Sequence, residues 1–563
     1  MPLLALPDDV LVEILTTFAD TPSKIAAVVR LCRRTRNLCC GRWRALELSS
    51  FQPLRAAPHE FAALERLSVW LRHDGPLPVL EVCHRLRSLA LWRSDGGVTP
   101  TNPLVVATAQ MLRSLAAPLE RFESNLPVAA LVEALERHAP MLTALRLAVS
   151  NWPSRPPSSS LSPPPSASDQ TAALVARCAE LRELTLEVDS SSSGRLLTQE
   201  TAQLLDALGT LPHLAKLKLH CRALNDAHLA KLAASSPTLT SLSLLELEHV
   251  TALGLVSALR ALPHLAHLEL GAAPWANAVV KLGDALRFER LTSLRSVHLQ
   301  YGLGPVRVLS FAGCAALRTI TSEPTLKITF LNLCGTSVGA ACIEALMPKL
   351  PELLTLFLRK CAALDGRLAI SRHMTLQRVD LLGCAALRHL HISNCLQLEH
   401  LAIGGCAALE TLELRHLRRL SFPFSLDLAT MRPHPLRELK LPSCVLISDA
   451  DVAAIAASCP ALEEVDLSYC VDVGDGAVAA LARCAALRSL SLLNCRKVAD
   501  VSPLVDGCPN LVALDLRWCT RVDDEVVQRV VAAHPQLDCD RRPPATSPGG
   551  RIILPTANSK FFP

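Results

Sequence analysis

Between Cys459 and Cys519 one phrase is written three times: CPALEEVDLSYC (459–470), CAALRSLSLLNC (484–495) and CPNLVALDLRWC (508–519). The skeleton is C-x-x-L-x-x-L-x-L-x-x-C, with Val465 in place of one Leu, and the leading cysteines lie 25 and 24 residues apart. The L-x-L centre alternates, so in a strand Leu490 and Leu492 point to one side and Ser489 and Ser491 to the other. Between phrases the period changes. VGDGAVAALARC (473–484) gathers Val473, Ala477, Val478, Leu481 and Ala482 on one helical face, with Asp475 near its start, where an acid suits the helix dipole. Each turn is therefore a strand, a short loop and a return helix. A single turn cannot cover its own apolar side. Stacked turns can, and the expected fold is an α/β repeat solenoid with a strand-lined concave wall.

The composition agrees. Half of the 563 residues are apolar but only 4% are aromatic, which suits Leu/Ala-packed repeats better than a globular enzyme core. A net charge of +5 leaves no nucleic-acid footprint. Nine cysteines follow the last apolar strand residue by three: Cys314, Cys361, Cys384, Cys395, Cys406, Cys444, Cys470, Cys495 and Cys519. That is repeat spacing, neither a disulfide framework nor a C-x-x-C metal site, so these thiols read as small buried apolar residues. Unpaired buried thiols imply a reducing compartment, cytoplasm or nucleus. The opening MPLLALPDDV has no basic segment and meets Asp8 and Asp9, which argues against a signal peptide. No uncharged apolar run approaches the roughly 18 residues of a membrane helix, so no membrane partner is expected.

Upstream the strand phrase recurs in looser form: LERLSV from Leu64, LRSLAL (86–91), LTALRL (142–147), LRELTL (181–186), LAKLKL (214–219), LTSLSL (239–244), LAHLEL (265–270) and LRSVHL (294–299). The domain reading is a helical module over 1–48, a solenoid over 49–539 and a flexible Pro-rich tail over 540–563. SNWPSRPPSSSLSPPPSASDQ (150–170) is too rich in Pro and Ser to bury a core and reads as a disordered insertion. In the middle, CAALRHLHISNC (384–395), CLQLEHLAIGGC (395–406) and CAALETLELRHL (406–417) share boundary cysteines at a period of 11. Such turns either return by a bare loop or pair into 22-residue units, and the sequence leaves both open.

Leucine spacing, cysteine positions and helix pattern together resemble the cysteine-containing leucine-rich-repeat family. The first residues resemble a second family. LPDDVLVEILTTF, then DTPSKI, then VVRLCRRTR, then WRALEL, is similar to an F-box over 6–48. Leu6-Pro7-Asp8-Asp9 suits a helix start, and Val10, Leu11, Ile14 and Leu15 recur at helical spacing. The resemblance implies that Leu6, Pro7, Val10, Leu11, Ile14 and Leu15 dock on the Skp adaptor of an SCF ubiquitin ligase, and through it on a cullin. The sequence departs from the family at Thr35, where Trp is common.

No catalytic constellation is present. The phosphate-loop patterns GxGxxG and GxxxxGK[ST] are absent, as is H-E-x-x-H, and no triad is ordered locally. The expectation is a non-enzymatic subunit without cofactor or metal. Its binding surface is expected on the concave wall, from the outward strand residues Phe357, Arg359, Arg378, Asp380, His389, His391, His400, Glu413 and Arg415. If an 11-residue period is one turn, His389 and His400 share a column, and three histidines become a candidate metal set. Lys216, Lys218 and His220 form a second candidate surface, suited to an acidic partner. Two functions outside the ligase remain: a repeat scaffold or inhibitor that never meets a cullin, and a small-ligand receptor.

Overall fold

The computed structural model describes residues 45–48, 64–71, 83–93, 102–115, 117–128, 131–150, 167–189, 203–204, 206–271, 284–300, 306–323, 325–420 and 434–541. The F-box-like segment up to residue 44 and the tail beyond Arg541 lie outside them. So does 151–166 of the expected insertion, but Ala167–Ala176 form a helix, so the insertion ends earlier than 170. The chain divides into two compact units, Met1–Leu282 and Gly283–Pro563.

In the first unit nine parallel strands pair in chain order: β1 (Ala45–Leu48), β2 (Arg66–Leu71), β3 (Ser88–Arg93), β4 (Arg121–Pro127), β5 (Ala144–Ser150), β6 (Glu183–Asp189), β7 (Lys216–His220), β8 (Ser241–Leu245) and β9 (His267–Gly271). Ala45–Leu48, which the sequence reading left in the helical module, is already a rung of this ladder. Helices such as Asp226–Ser235 and Ala252–Arg260 return the chain between strands. The first-turn acid of Asp226–Ser235 links neighbouring turns. Asp226 accepts from Thr251 N at 2.8 Å and Thr251 Oγ1 at 2.6 Å, so one carboxylate serves its own helix and the cap of the next.

The second unit resolves the 11-residue period. Its strands are β10 (Ala285–Arg287), β11 (Ser296–Gln300), β12 (Val308–Ser310), β13 (Thr319–Glu323), β14 (Phe330–Asn332), β15 (Thr355–Phe357), β16 (Gly366–Ser371), β17 (Arg378–Asp380), β18 (Leu387–Ser393), β19 (His400–Ala402), β20 (Thr411–Arg415), β21 (Glu438–Lys440), β22 (Glu464–Asp466), β23 (Ser489–Ser491), β24 (Ala513–Asp515) and β25 (Asp538–Asp540). Alternate strands join different sheets. β10, β12, β14, β15, β17 and β19 form one, and β16, β18, β20 and β21 to β25 form another. A full turn is thus two strand phrases: Arg378 pairs with His400 and His389 with Thr411, each 22 residues on. In chain order the β10–β19 strands take the place that the helices Asp449–Ser458, Asp475–Leu481 and Asp524–Ala533 take farther along. A phrase with L-x-L spacing and a tight corner needs no helix to return. Between the sheets Val379, Leu381, Leu390 and Ile392 are at most 1% exposed, and Phe288 stacks on Phe311 at 5.3 Å.

The corners carry the repeat. After the strand one residue turns left-handed, and the next is the cysteine. The left-handed position holds Gly383 (φ 75), Gly405 (φ 75), Asn494 (φ 60) and even Tyr469 (φ 62) and Trp518 (φ 65). Its N–H donates to the following turn, as from Gly383 to the Gly404 carbonyl at 2.8 Å. The cysteine reaches the preceding turn. Cys384 Sγ donates to the Leu358 carbonyl (3.0 Å), Cys470 Sγ to Leu441 (3.2 Å), Cys495 Sγ to Leu467 (3.1 Å) and Cys519 Sγ to Leu492 (3.0 Å). Burial pushes the Cys384 and Cys444 thiols up to about 12. The corner cysteines Cys384, Cys406, Cys444, Cys470, Cys495 and Cys519 form no disulfide.

Histidine substitutes for the leading cysteine twice, in HMTL (373–376) and HPQL (534–537). His373 Nε2 donates to the Leu350 carbonyl at 2.9 Å and His534 Nε2 to the Cys508 carbonyl at 2.9 Å.

A Cβ on Gly405 would lie 3.2 Å from the Gly383 Cα at φ +75, so Gly405→Ala destabilises the chain by about 1–2 kcal/mol, read as a lowered urea midpoint. Burial holds the His373 pKa below its ordinary 6.5, against a smaller upward pull from the Leu350 carbonyl bond. The unfolded chain therefore takes up this proton at higher pH than the folded one, and stability present above about 6.5 is lost as pH falls through it. His373→Cys flattens the slope of melting temperature against pH between neutral and mildly acidic conditions. An unchanged slope counts against this assignment.

Candidate partner-binding surfaces

The nine residues expected on one concave wall lie on two sheets. Phe357, Arg378, Asp380 and His400 are on β15, β17 and β19, with Arg359 just past β15; His389, His391, Glu413 and Arg415 are on β18 and β20. His389 and His400 therefore share no column, and the three histidines do not assemble as a metal set. Among the described residues no group of three or more His, Cys, Asp or Glu is placed to hold a metal.

On the β10–β19 sheet, register sets two columns: Phe330, Thr355, Arg378, His400, and beside it Asn332, Phe357, Asp380, Ala402. Phe357 is half-buried and meets Phe330 edge-on with centroids 5.2 Å apart. The guanidinium groups of Arg359 and Arg378 each lie 5.6 Å from its ring centre. Asp380, expected to face solvent, is fully buried. Its carboxylate accepts from Arg359 Nε (2.8 Å) and Nη2 (2.6 Å) and from Leu382 N (3.2 Å). Strand alternation gave its side correctly but not the arginine lying across it. The same turn-closing bond recurs from Cys334 N to Asn332 (3.0 Å), from Ser468 N to Asp466 (2.9 Å) and from Arg517 N to Asp515 (3.1 Å). An acid or amide at this point caps the strand end, which is why it recurs as L-[DN]-L.

The other sheet carries a polar row whose members satisfy one another. His391 Nδ1 bonds Glu413 at 2.7 Å, His391 Nε2 meets Ser393 Oγ at 3.0 Å, and Arg415 also donates to Glu413. Burial works against the Glu413 charge, but the His391 bond and the Arg415 charge outweigh it and hold its pKa below the usual carboxylate range. Farther on, Lys440 sits between Glu438 (3.0 Å) and Glu464 (3.5 Å), Ser468 meets Ser491 (2.8 Å), and Arg517 grips Asp515 (2.9 and 2.6 Å). Desolvation raises the Asp466 pKa. Sequence reasoning named His391, Glu413 and Arg415 but missed the continuation of the row through Lys440, Asp466, Ser491 and Arg517, and it missed Phe330. The row was visible as D or S at the centre of VDLSYC, LSLLNC and LDLRWC. Phe330 was hidden because ITFLNLCG (328–335) lacks the leading L-x-x-L.

The Lys216, Lys218 and His220 cluster is also neutralised. Lys216 pairs with Glu183 at 2.6 Å and Lys218 with Glu269 at 3.2 Å, while desolvation lowers the His220 pKa. The surface expected to attract an acidic partner is instead a lattice of cross-strand pairs.

Parallel ladders, helices in the return position and leucine corners define this chain as a leucine-rich-repeat solenoid. No protein-family model matches it, and no curated protein matches it. Among solved structures it is similar to the complex of Rad7 and Elc1 in yeast, at 17% identity and a TM-score of 0.21 over 70% of this chain and 83% of that chain. It is also similar to the complex of TLR13 with ssRNA13, at 16% identity and a TM-score of 0.25 over 85% of this chain and 75% of that chain. Neither likeness carries a functional assignment.

Arg359 and Arg378 both flank Phe357, but only Arg359 covers a buried acid. Arg359→Ala strands the Asp380 carboxylate and destabilises the chain by about 1–3 kcal/mol. Arg378→Ala stays within about 0.5 kcal/mol of wild type, and denaturant midpoints of the two variants measure the difference.

Proposed function

We propose that this chain is the substrate-recognition subunit of an SCF-type ubiquitin ligase, itself without catalytic side chains or cofactor. The observation that carries the reading is the junction at the front of the chain. The F-box-like sequence 6–48 runs directly into the first rung of the repeat ladder, Ala45–Leu48, so a docking handle and a partner-binding coil would be joined without a linker. Leu6, Pro7, Val10, Leu11, Ile14 and Leu15 would hold the Skp adaptor, and the outward strand residues of the coil would hold a target protein. The mechanism is positional: a target tethered near a ubiquitin-charged enzyme reacts at high effective concentration. The unpaired thiols suit cytoplasm or nucleus.

Thr35 favours a second reading, a repeat scaffold or inhibitor that meets no cullin. Binding of the purified chain to purified adaptor separates the two. The ligase reading expects binding that Leu11→Asp abolishes. If wild type and variant both ignore the adaptor, the scaffold reading takes its place.

A further inference from the structure

The Phe330–Phe357 patch has a charge that the rest of its sheet does not cancel. Arg359 spends its charge on buried Asp380. Arg378 and Lys360 are both exposed, and neither has an acidic partner among the described residues. The Lys360 stem lies against Gly383, whose missing side chain leaves it room. Exposed His400 continues the column beyond Arg378. Two half-buried aromatic rings thus sit beside an exposed arginine that has no acidic partner among the described residues.

We infer that this patch binds an extended protein segment carrying an acidic residue and an aromatic or large aliphatic residue at fixed separation. The acid would lie on Arg378, and the apolar side chain on the rings of Phe330 and Phe357. The register sets the spacing. Phe330, Thr355 and Arg378 occupy adjacent strands, so Phe330 and Arg378 lie about 10 Å apart across the sheet, which an extended segment spans in about three residues. The segment runs along the stack of turns rather than along a strand. Arg378 supplies a planar fork suited to a carboxylate, and the rings supply the apolar area that holds the segment once charge has brought it in. Phe357, Arg378 and His400 were among the residues expected to bind, and they lie together on the sheet of β10, β12, β14, β15, β17 and β19. The inference rests on the coil being a partner-binding surface and is independent of the adaptor.

Short fluorescent peptides with one Glu and one Phe at a series of separations in a Gly-Ser background, titrated against the full chain, test it. Anisotropy should show tightest binding at a separation of about three residues. Arg378→Glu should weaken that peptide by about tenfold or more, and Phe357→Ala should weaken it comparably. A peptide with Lys in place of Glu should bind the Arg378→Glu protein better than it binds wild type. Absence of binding, affinity indifferent to separation, or an Arg378→Glu protein that binds as wild type does would each overturn the proposal. Adaptor binding of the same preparations, measured in parallel, keeps failure here distinct from failure of the ligase reading.

Discussion

Everything in the coil depends on the corner that ends each strand. There the chain reverses through one left-handed residue, whose N–H bonds forward to the next turn, while the cysteine beside it bonds back to the turn before. The Leu381 carbonyl illustrates the economy. It accepts the backbone N–H of its own Cys384 at 3.1 Å and the thiol of Cys406 at 3.4 Å from the next turn. A buried carbonyl with both lone pairs occupied adds no desolvation penalty. Leu-x-Leu strands supply the apolar surface, but the corners fix how far each turn advances and which residues come into register. Tyr469 and Trp518 sit in a backbone region that bulky residues avoid, which indicates how strongly the neighbouring turns determine the corner.

The arrangement also explains why the turns vary between helix and strand. The corner needs only L-x-L followed by a small, buried hydrogen-bond donor. Where the return segment carries that pattern itself, as in VRVLSFAGC (306–314) or LQRVDLLGC (376–384), it becomes a strand and the coil has two sheets. Where it carries alanines and valines at helical spacing behind a first-turn acid, as in DGAVAAL (475–481), it becomes a helix.

How much of this was legible from residues alone depended on whether the pattern was local. The three strict phrases and the helix between 475 and 481 could be read directly, because the period and the first-turn acid Asp475 lie within one turn. The pairing of 11-residue phrases into turns could not. Both sheets use the same phrase, and only long-range register assigns alternate strands to different walls. Alternation named the outward residues correctly but was blind to what lies over them: it gave Asp380 as exposed when Arg359 covers it, and Lys216 as free when Glu183 lies opposite. His373 escaped the cysteine pattern because the position selects a buried donor rather than an element. The F-box resemblance at the front, with its docking residues, lies outside the described residues.

The thiols at the corners have one more consequence. Cys361, Cys384, Cys406, Cys444, Cys470 and Cys495 are each wholly enclosed. An alkylating reagent cannot reach any of them until its own turn comes apart from the next. Each modified cysteine, located by peptide mapping after brief exposure, would record which turn had opened and how often. The chain contains its own position-resolved gauge of local unfolding, written in the residue that closes each corner.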